Sequence, residues 1–176
     1  MQKSALYTIG HGSRKIDDFL SLLKGFDIEY LVDVRSQPFS RFHPQFNQKN
    51  LQRILPLHGI QYIFMGDSLG GRPKDTSCYD EYGKVDYRAI RTKDFFKRGI
   101  ERLKVACEKG LKVAVMCSER NPCDCHRTRL IGEVVCNEGF LLKHIDEKGE
   151  LKEHVTVISE INKGKAQSDL FSNYTN

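Results

Sequence analysis

Short apolar runs alternate with amphipathic helical segments along most of this chain, and this alternation limits the folds that the chain can adopt. Four runs predict β-strands, at residues 5–9, 30–34, 60–65 and 113–116, and a fifth strand is predicted at 140–145. Strands that alternate with helices pair in parallel, because each helix carries the chain back across a face of the sheet. The pattern therefore predicts an α/β fold with a mostly parallel sheet of about five strands and helices on both faces.

The length of 176 residues suits one domain with a sizeable core. We predict a single domain over residues 1–162 and a polar, loosely held tail over residues 163–176. No apolar run approaches the roughly 18 residues of a membrane span. The N-terminal segment also lacks the apolar core of a signal peptide, so we expect a cytoplasmic protein that does not contact a membrane.

The fourth predicted strand leads directly into the most reactive stretch of the chain. Residues 117–127 hold three of the six cysteines, together with Glu119, His126 and Arg127. A helix is predicted from residue 125 onward, so this stretch is a loop between a strand and a helix N-terminus. Open α/β sheets bind ligands at such places. The stretch therefore predicts a site in which Cys117, Glu119 and His126 are candidate catalytic residues.

Polar residues also follow the other predicted strands. His11 comes after the first strand, Arg35 after the second and Arg72 after the third, while Arg41 lies in the loop that follows Arg35. The carboxyl ends of parallel strands share one edge of a sheet, so we expect these side chains to lie near the reactive loop. Guanidinium groups bind phosphate and carboxylate well. We therefore predict that Arg35, Arg41, Arg72 and Arg127 bind an anion, and that His11 joins the catalytic candidates.

The identity of the anion is indicated by an aromatic residue within this basic region. Phe42 lies between Arg41 and His43. An aromatic ring can stack on a base while neighbouring cations hold a phosphate group. The formal net charge of +5 permits such a partner without requiring it. A nucleotide or a nucleic-acid component is the predicted ligand class.

Several of these segments, in the same order, resemble the family called DUF488, a domain of unknown function. The resemblance is carried by residues 8–11 (Thr-Ile-Gly-His), 31–35 (Leu-Val-Asp-Val-Arg), 40–46, 59–62 (Gly-Ile-Gln-Tyr), 69–71 (Leu-Gly-Gly), 116–119 (Met-Cys-Ser-Glu), Pro122 and 125–127 (Cys-His-Arg). It covers about residues 6–145. It implies that the positions to examine are His11, Arg35, Arg41, Cys117, Glu119, Cys125, His126 and Arg127. It implies no particular activity, and Cys123 departs from the family pattern.

Nucleophilic or acid–base catalysis is the first hypothesis for the reactive loop. Cys117 follows a strand and lies near a helix N-terminus and His126, which favours a reactive thiol. Glu119 or His126 could then move protons. Residues 31–35 also resemble part of the rhodanese and cysteine-phosphatase pattern, but those enzymes have an arginine where this chain has Cys123. That difference argues against both activities, and Cys117 could instead be a small buried structural residue.

Metal binding and redox chemistry are the other hypotheses for this loop. Cys117, Cys123, Cys125 and His126 are possible soft ligands. Zinc sites, however, favour Cys-x2-Cys spacing and ligands from two loops, so we assign no metal ligand. Neighbouring thiols also permit redox use, although Cys-x-x-Cys is missing from the sequence.

The sequence thus predicts an enzyme that acts on a phosphate-bearing small molecule or a nucleic-acid component in a basic pocket, with its chemistry at Cys117 or Glu119. A non-catalytic module that binds a nucleotide or a nucleic acid remains an alternative, as does a zinc-binding interaction protein. The residues do not decide whether the pocket catalyses a reaction, and they identify neither a cofactor nor an oligomeric state.

Overall fold

The structure is a computed structural model that describes residues 4–172, apart from the side chains of residue 124 and of residues 165–172. The strands within this range are Leu6–Gly10 (β1), Tyr30–Asp33 (β2), Gln61–Phe64 (β3), Val113–Cys117 (β4), Leu142–Ile145 (β5) and Leu151–Glu153 (β6). The α-helices are Ile16–Gly25 (α1), Gln48–Ile54 (α2), Gly66–Leu69 (α3), Tyr87–Thr92 (α4), Asp94–Glu108 (α5), Glu133–Asn137 (α6) and His154–Ser172 (α7). A π-helical turn, Arg127–Gly132, precedes α6.

Within the described residues these strands form one six-stranded sheet in the order β3-β2-β4-β1-β5-β6. Strands β1 to β5 pair in parallel, and β6 is antiparallel to β5. The predicted α/β fold with a mostly parallel sheet is therefore confirmed. Strand β6 was not predicted, because it has only three residues, two of them exposed, and shows no apolar alternation.

A hydrophobic core lies on each face of the sheet, as the period of two along a strand requires. In β4, Ala114 and Met116 belong to the core that contains Phe19 of α1. Val115 and Cys117 belong to the opposite core, which contains Phe96 of α5. The Cys117 side chain is therefore directed toward the α5 face, on which Cys125 also packs.

The helix predicted over residues 125–137 begins at Arg127 and is wound as a π-helix as far as Gly132. π-Helical turns are rare in proteins, and those that occur lie frequently at functional sites. The long segment after β3 contains α3 and a 3-10 turn at Thr76–Cys78 and ends where α4 begins. Because α3 and α4 are short, neither shows a clear helical period in the sequence.

Helix α7 extends into the predicted C-terminal tail, of which residues 173–176 lie outside the described part. The loosely held tail and the single-domain boundary stay predictions. No helix in the described part of the chain combines the length and the apolar character that crossing a membrane would require.

Candidate active site

The reactive loop is held against the end of β1 by close backbone contact. Gly10 pairs with Cys117, and the backbone N–H groups of His11 and Gly12 donate to the carbonyl groups of Cys117 and Ser118 at 3.1 and 2.9 Å. A Cβ atom on Gly10 would lie 1.7 Å from the Glu119 carbonyl oxygen. Glycine is therefore required at position 10 for the loop to reach its place.

Two free thiols meet inside this loop. The Sγ atoms of Cys117 and Cys125 lie 2.6 Å apart, and the two residues are 0% and 1% exposed. The Cys125 sulfur also lies 3.3 Å from Oε2 of Glu119 and 3.6 Å from Nδ1 of His126. The candidate residues Cys117, Glu119 and His126 are thus brought together around Cys125.

The protonation of these groups follows from their burial and contacts. Burial raises the pKa of Cys125 well above its ordinary value, and the hydrogen bond with Cys117 raises it further. For Glu119 partial burial acts to raise the pKa, but hydrogen bonds from its own backbone and from both thiols outweigh it and lower the pKa. Burial also lowers the pKa of His126. Nε2 of His126 lies 3.2 Å from the Val34 carbonyl, so Nδ1 of the neutral ring is an acceptor that faces Cys125.

Arg127 lies beneath the thiol pair and is completely buried. Its guanidinium group donates to Cys117 Sγ at 3.1 Å and to the carbonyl groups of Glu119 and Arg120 at 2.9 and 3.0 Å. No described carboxylate lies within 4.0 Å of it. Arg127 therefore holds the loop in shape and places a positive charge beside the Cys117 sulfur.

At Cys117 the loop presents a carbonyl oxygen to the sulfur, whereas the backbone N–H of Arg127 donates to the Cys125 sulfur at 3.4 Å. The Glu119 carbonyl lies 3.6 Å from Cys117 Sγ and also accepts from Arg127. A phosphatase or rhodanese loop would instead present backbone N–H groups to an anion at the sulfur. The arrangement agrees with the argument from Cys123 against those two activities.

His11 and Arg35 belong to a separate buried network. Arg35 donates to Asp33 at 2.9 and 2.6 Å and to the Phe46 carbonyl at 2.7 Å, and its Nη1 lies 3.1 Å from Nε2 of His11. Nδ1 of His11 lies 2.9 Å from the Gly12 carbonyl, and burial lowers the pKa of His11 to about 4. Both ring nitrogens of a neutral imidazole are thus occupied, and the geometry favours a structural use of these two residues.

A polar cleft of about 910 Å³ opens beside the thiol pair, and Cys125 lies in its lining. Five cationic and two anionic side chains line it: Arg72, Lys84, Arg88, Arg91, Arg129, Asp86 and Glu133. Arg91 is paired with Glu133, whereas no described carboxylate pairs with Arg72, Arg88 or Arg129. The Nε atoms of Arg91 and Arg129 are buried without a hydrogen-bond partner. The cleft therefore carries an excess of positive charge.

Of the four predicted anion-binding arginines, Arg72 lines this cleft. Arg127 contacts the thiols instead, Arg35 pairs with Asp33, and Arg41 is an exposed residue outside the cleft lining. Sequence reasoning missed four cations of the cleft: Lys84, Arg88, Arg91 and Arg129. A signal for two of them was present, because Asp86 caps α4 and a helix there would place Arg88 and Arg91 on one face.

Three ligand atoms, one each from Cys117, Glu119 and Cys125, lie within 4.8 Å of one another. Two thiolates and a carboxylate are groups that zinc accepts, and three protein ligands leave a fourth position open. Cys123, predicted as a further soft ligand, instead places its sulfur 3.9 Å from the Val157 carbonyl of α7.

Comparisons with known proteins identify a family and no individual relative. A family model described as "Domain of unknown function DUF488" matches residues 15–134. This range contains the thiol pair and Arg127. No curated protein and no solved structure matches the chain.

Proposed function

The chain belongs to the DUF488 family, and we propose that it is an enzyme whose thiol pair, Cys117 and Cys125, acts on a phosphate-bearing small molecule bound in the cationic cleft. The observation that carries the proposal is the position of Cys125, which lines the cleft and contacts Cys117. A perturbed nucleophilic group at the wall of a cleft with convergent charged groups is typical of an active site.

The charges of the cleft favour phosphate as the part of the substrate that is recognised. Arg72, Arg88 and Arg129 have no described carboxylate partner, so their guanidinium groups are available for a bidentate contact. The Nε atom of Arg129 is closed to solvent, so this guanidinium group would contact an anion through its terminal Nη atoms.

A nucleotide is the favoured phosphate compound because an aromatic ring lines the same cleft. Tyr87 lies among the arginines. Burial raises its pKa, and Tyr87 shares the cleft lining with Cys125. A base stacked on Tyr87, with its phosphate on Arg129, would present the nucleotide to Cys125. In this arrangement Tyr87 takes the stacking role that the sequence suggested for Phe42.

The contacts of the Cys125 sulfur supply a way to activate it. Its thiol contacts Cys117 Sγ, and Arg127 donates to that neighbouring sulfur. The Glu119 carboxylate, with Oε2 3.3 Å from the Cys125 sulfur, accepts the thiol proton, and the Cys125 thiolate then serves as the nucleophile toward the bound substrate.

A turnover and binding experiment tests the proposal. Nucleoside 5′-phosphates and sugar phosphates are incubated with the protein, products are identified by mass spectrometry, and binding is measured by calorimetry. We expect turnover by the wild type, loss of at least about a hundredfold in Cys125→Ser, and unchanged binding in that variant. Arg129→Ala should weaken binding about tenfold. Arg98→Ala, which changes an exposed arginine of α5 outside the cleft, is the matched control.

The same experiment separates the alternatives. Nucleotide binding that weakens steeply with salt, without turnover by the wild type, would favour a non-catalytic binding module. Turnover that survives in Cys125→Ser would refute the role of the thiol pair. Zinc that remains at one equivalent after dialysis would favour a metal centre formed by Cys117, Glu119 and Cys125.

A further inference from the structure

We propose that Cys117 and Cys125 form a reversible disulfide when the protein meets a peroxide, so that the thiol pair is also a redox switch. The disulfide itself follows from the geometry of the two sulfurs. Its consequence, the loss of catalysis at the cleft, rests on the proposed function. The substrate of this oxidation is the protein's own thiol pair, and the oxidant is hydrogen peroxide or a small alkyl hydroperoxide.

The separation of the sulfurs carries the inference. Sγ of Cys117 lies 2.6 Å from Sγ of Cys125, and both residues are reduced. A disulfide bond is about 2.05 Å long, so bond formation requires only a small approach of the two side chains. Cys117 ends β4, whereas Cys125 lies in the loop before the π-helical turn, so the loop can supply this movement.

The other cysteines are not placed to compete. Cys78 and Cys107 are buried in the α5-side core, and Cys136 lies in α6. Cys123 has its sulfur near the Val157 carbonyl and 3.6 Å from Glu160 Oε2. Among the described residues, the sulfur that contacts Cys125 is therefore that of Cys117.

Access and charge support the same chemistry. Cys125 belongs to the cleft lining but is 1% exposed, so a small opening of the loop would admit a molecule as small as a peroxide to its sulfur. Arg127 donates to the sulfur of Cys117 at 3.1 Å, and a guanidinium group is a neighbour that activates thiols. The pair thus combines one cysteine of the cleft lining with one whose sulfur contacts a buried cation.

The reaction balances with peroxide as the oxidant. The Cys125 thiol gives its proton to Glu119, and the Cys125 thiolate attacks one peroxide oxygen. The O–O bond breaks, and the hydroxide released takes the proton from Glu119 to form water. The Cys117 sulfur then attacks the sulfenic sulfur of Cys125, the S–S bond forms, and the hydroxide that leaves takes the Cys117 proton to form a second water. Two sulfurs lose two electrons, and the peroxide gains them.

The disulfide would end catalysis because it removes the thiolate from the cleft. Cys125 could no longer attack a substrate, and Glu119 would lose the thiol hydrogen bond at 3.3 Å. The cations of the cleft would be unchanged. Oxidation is therefore expected to abolish turnover while leaving nucleotide binding within about twofold of the reduced protein.

Peptide mapping tests the disulfide without reference to any substrate. Protein purified under argon is treated with hydrogen peroxide, digested without reductant and analysed by mass spectrometry. We expect a peptide pair linked between Cys117 and Cys125, which dithiothreitol separates. Cys123→Ser is the matched control and should form the same link. In Cys117→Ser, dimedone should trap sulfenic acid on Cys125, because the second thiol is absent.

The outcomes separate this inference from the proposed enzyme activity. A link from Cys125 to Cys123, or direct oxidation of Cys125 to sulfinic acid in the wild type, would overturn the switch. So would tightly bound zinc with no disulfide after peroxide treatment, since the thiols would then be metal ligands. If Cys117→Ser does not fold, the wild-type peptide map alone decides. The disulfide without turnover of any phosphate compound would leave the switch standing and refute the proposed function.

Discussion

The ion pair between Asp33 and Arg35 at the end of β2 predicts a large loss of stability in Asp33→Asn. Asp33 is 0% exposed and accepts four hydrogen bonds. Three come from Arg35, at 3.1 Å from its backbone N–H and at 2.9 and 2.6 Å from its guanidinium group, and one comes from the Tyr62 hydroxyl at 2.8 Å. The substitution keeps the shape of the side chain but removes its charge.

The magnitude follows from what the substitution leaves behind. Arg35 is 5% exposed, so its charge would remain buried without a partner. Breaking a buried pair in this way costs about 3–5 kcal/mol. The amide introduced at position 33 would have one oxygen instead of two, so its NH2 group would face two of the four donors that Asp33 accepts from, which adds up to about 1 kcal/mol. We expect the free energy of unfolding to fall by about 4 kcal/mol, a large part of the stability of a domain this size.

Urea unfolding at neutral pH, followed by circular dichroism, measures this effect. Asp67→Asn, at an exposed acid of α3, is the control and should change stability by less than about 0.5 kcal/mol. The double variant Asp33→Leu/Arg35→Met removes both charges. Its loss in free energy of unfolding should be smaller, by at least about 2 kcal/mol, than the summed losses of the two single variants. Additive costs, or a loss below about 1 kcal/mol in Asp33→Asn, would refute the argument.

Three further predictions test other parts of the structure. Gly10→Ala would put a Cβ atom 1.7 Å from the Glu119 carbonyl oxygen and should cost at least about 2 kcal/mol in urea unfolding; a smaller loss would contradict the packing of the loop on β1. Burial lowers the pKa of His11 from 6.5 to about 4, so the unfolded chain takes up a proton at a higher pH than the folded protein does. The free energy of unfolding should therefore fall by up to about 3 kcal/mol as the pH drops between those values. A His11→Asn variant should lose less of its free energy of unfolding over the same range. Cys136 is partly exposed, but burial raises its pKa to about 11, so mass spectrometry should find it largely unalkylated by iodoacetamide near pH 8; rapid labelling would contradict this.

Local patterns along the chain were sufficient to predict the fold class. The apolar runs at β1, β2 and β4 are buried through most of their length, and long helices such as α5 repeat apolar residues at helical spacing. This periodicity involves residues only a few positions apart, so it can be recognised in the sequence without knowledge of the fold. The same logic failed for β6, α3 and α4, because elements this short do not complete a recognisable period.

The position of the reactive loop was also predictable. Cys117 follows a strand, and the next helix starts close to Cys125. Parallel strands bring their carboxyl ends to one edge, so the loop after β4 was expected near the end of β1. The residues from Cys117 to Arg127 therefore could be selected as a candidate site from the amino-acid order alone.

The use of each charged residue was decided by the tertiary structure. Arg35 and Arg72 are the same amino acid, and both follow predicted strands. Arg35 meets a buried carboxylate, whereas Arg72 lines the cleft. Arg91 and Arg129, 38 residues apart in the chain, come together at the cleft because α4 packs beside the π-helical turn. No local sequence pattern predicts a contact between residues so far apart in the chain.

The amino-acid order by itself thus determined the α/β class and the strand after which reactive residues collect, because both depend on short-range periodicity and on the shared edge of parallel strands. The contact between the Cys117 and Cys125 sulfurs, the burial of Arg127 beneath them and the cationic cleft beside them arose only on folding. These features depend on distances of a few ångströms between side chains from different elements. Packing sets those distances, and sequence spacing does not.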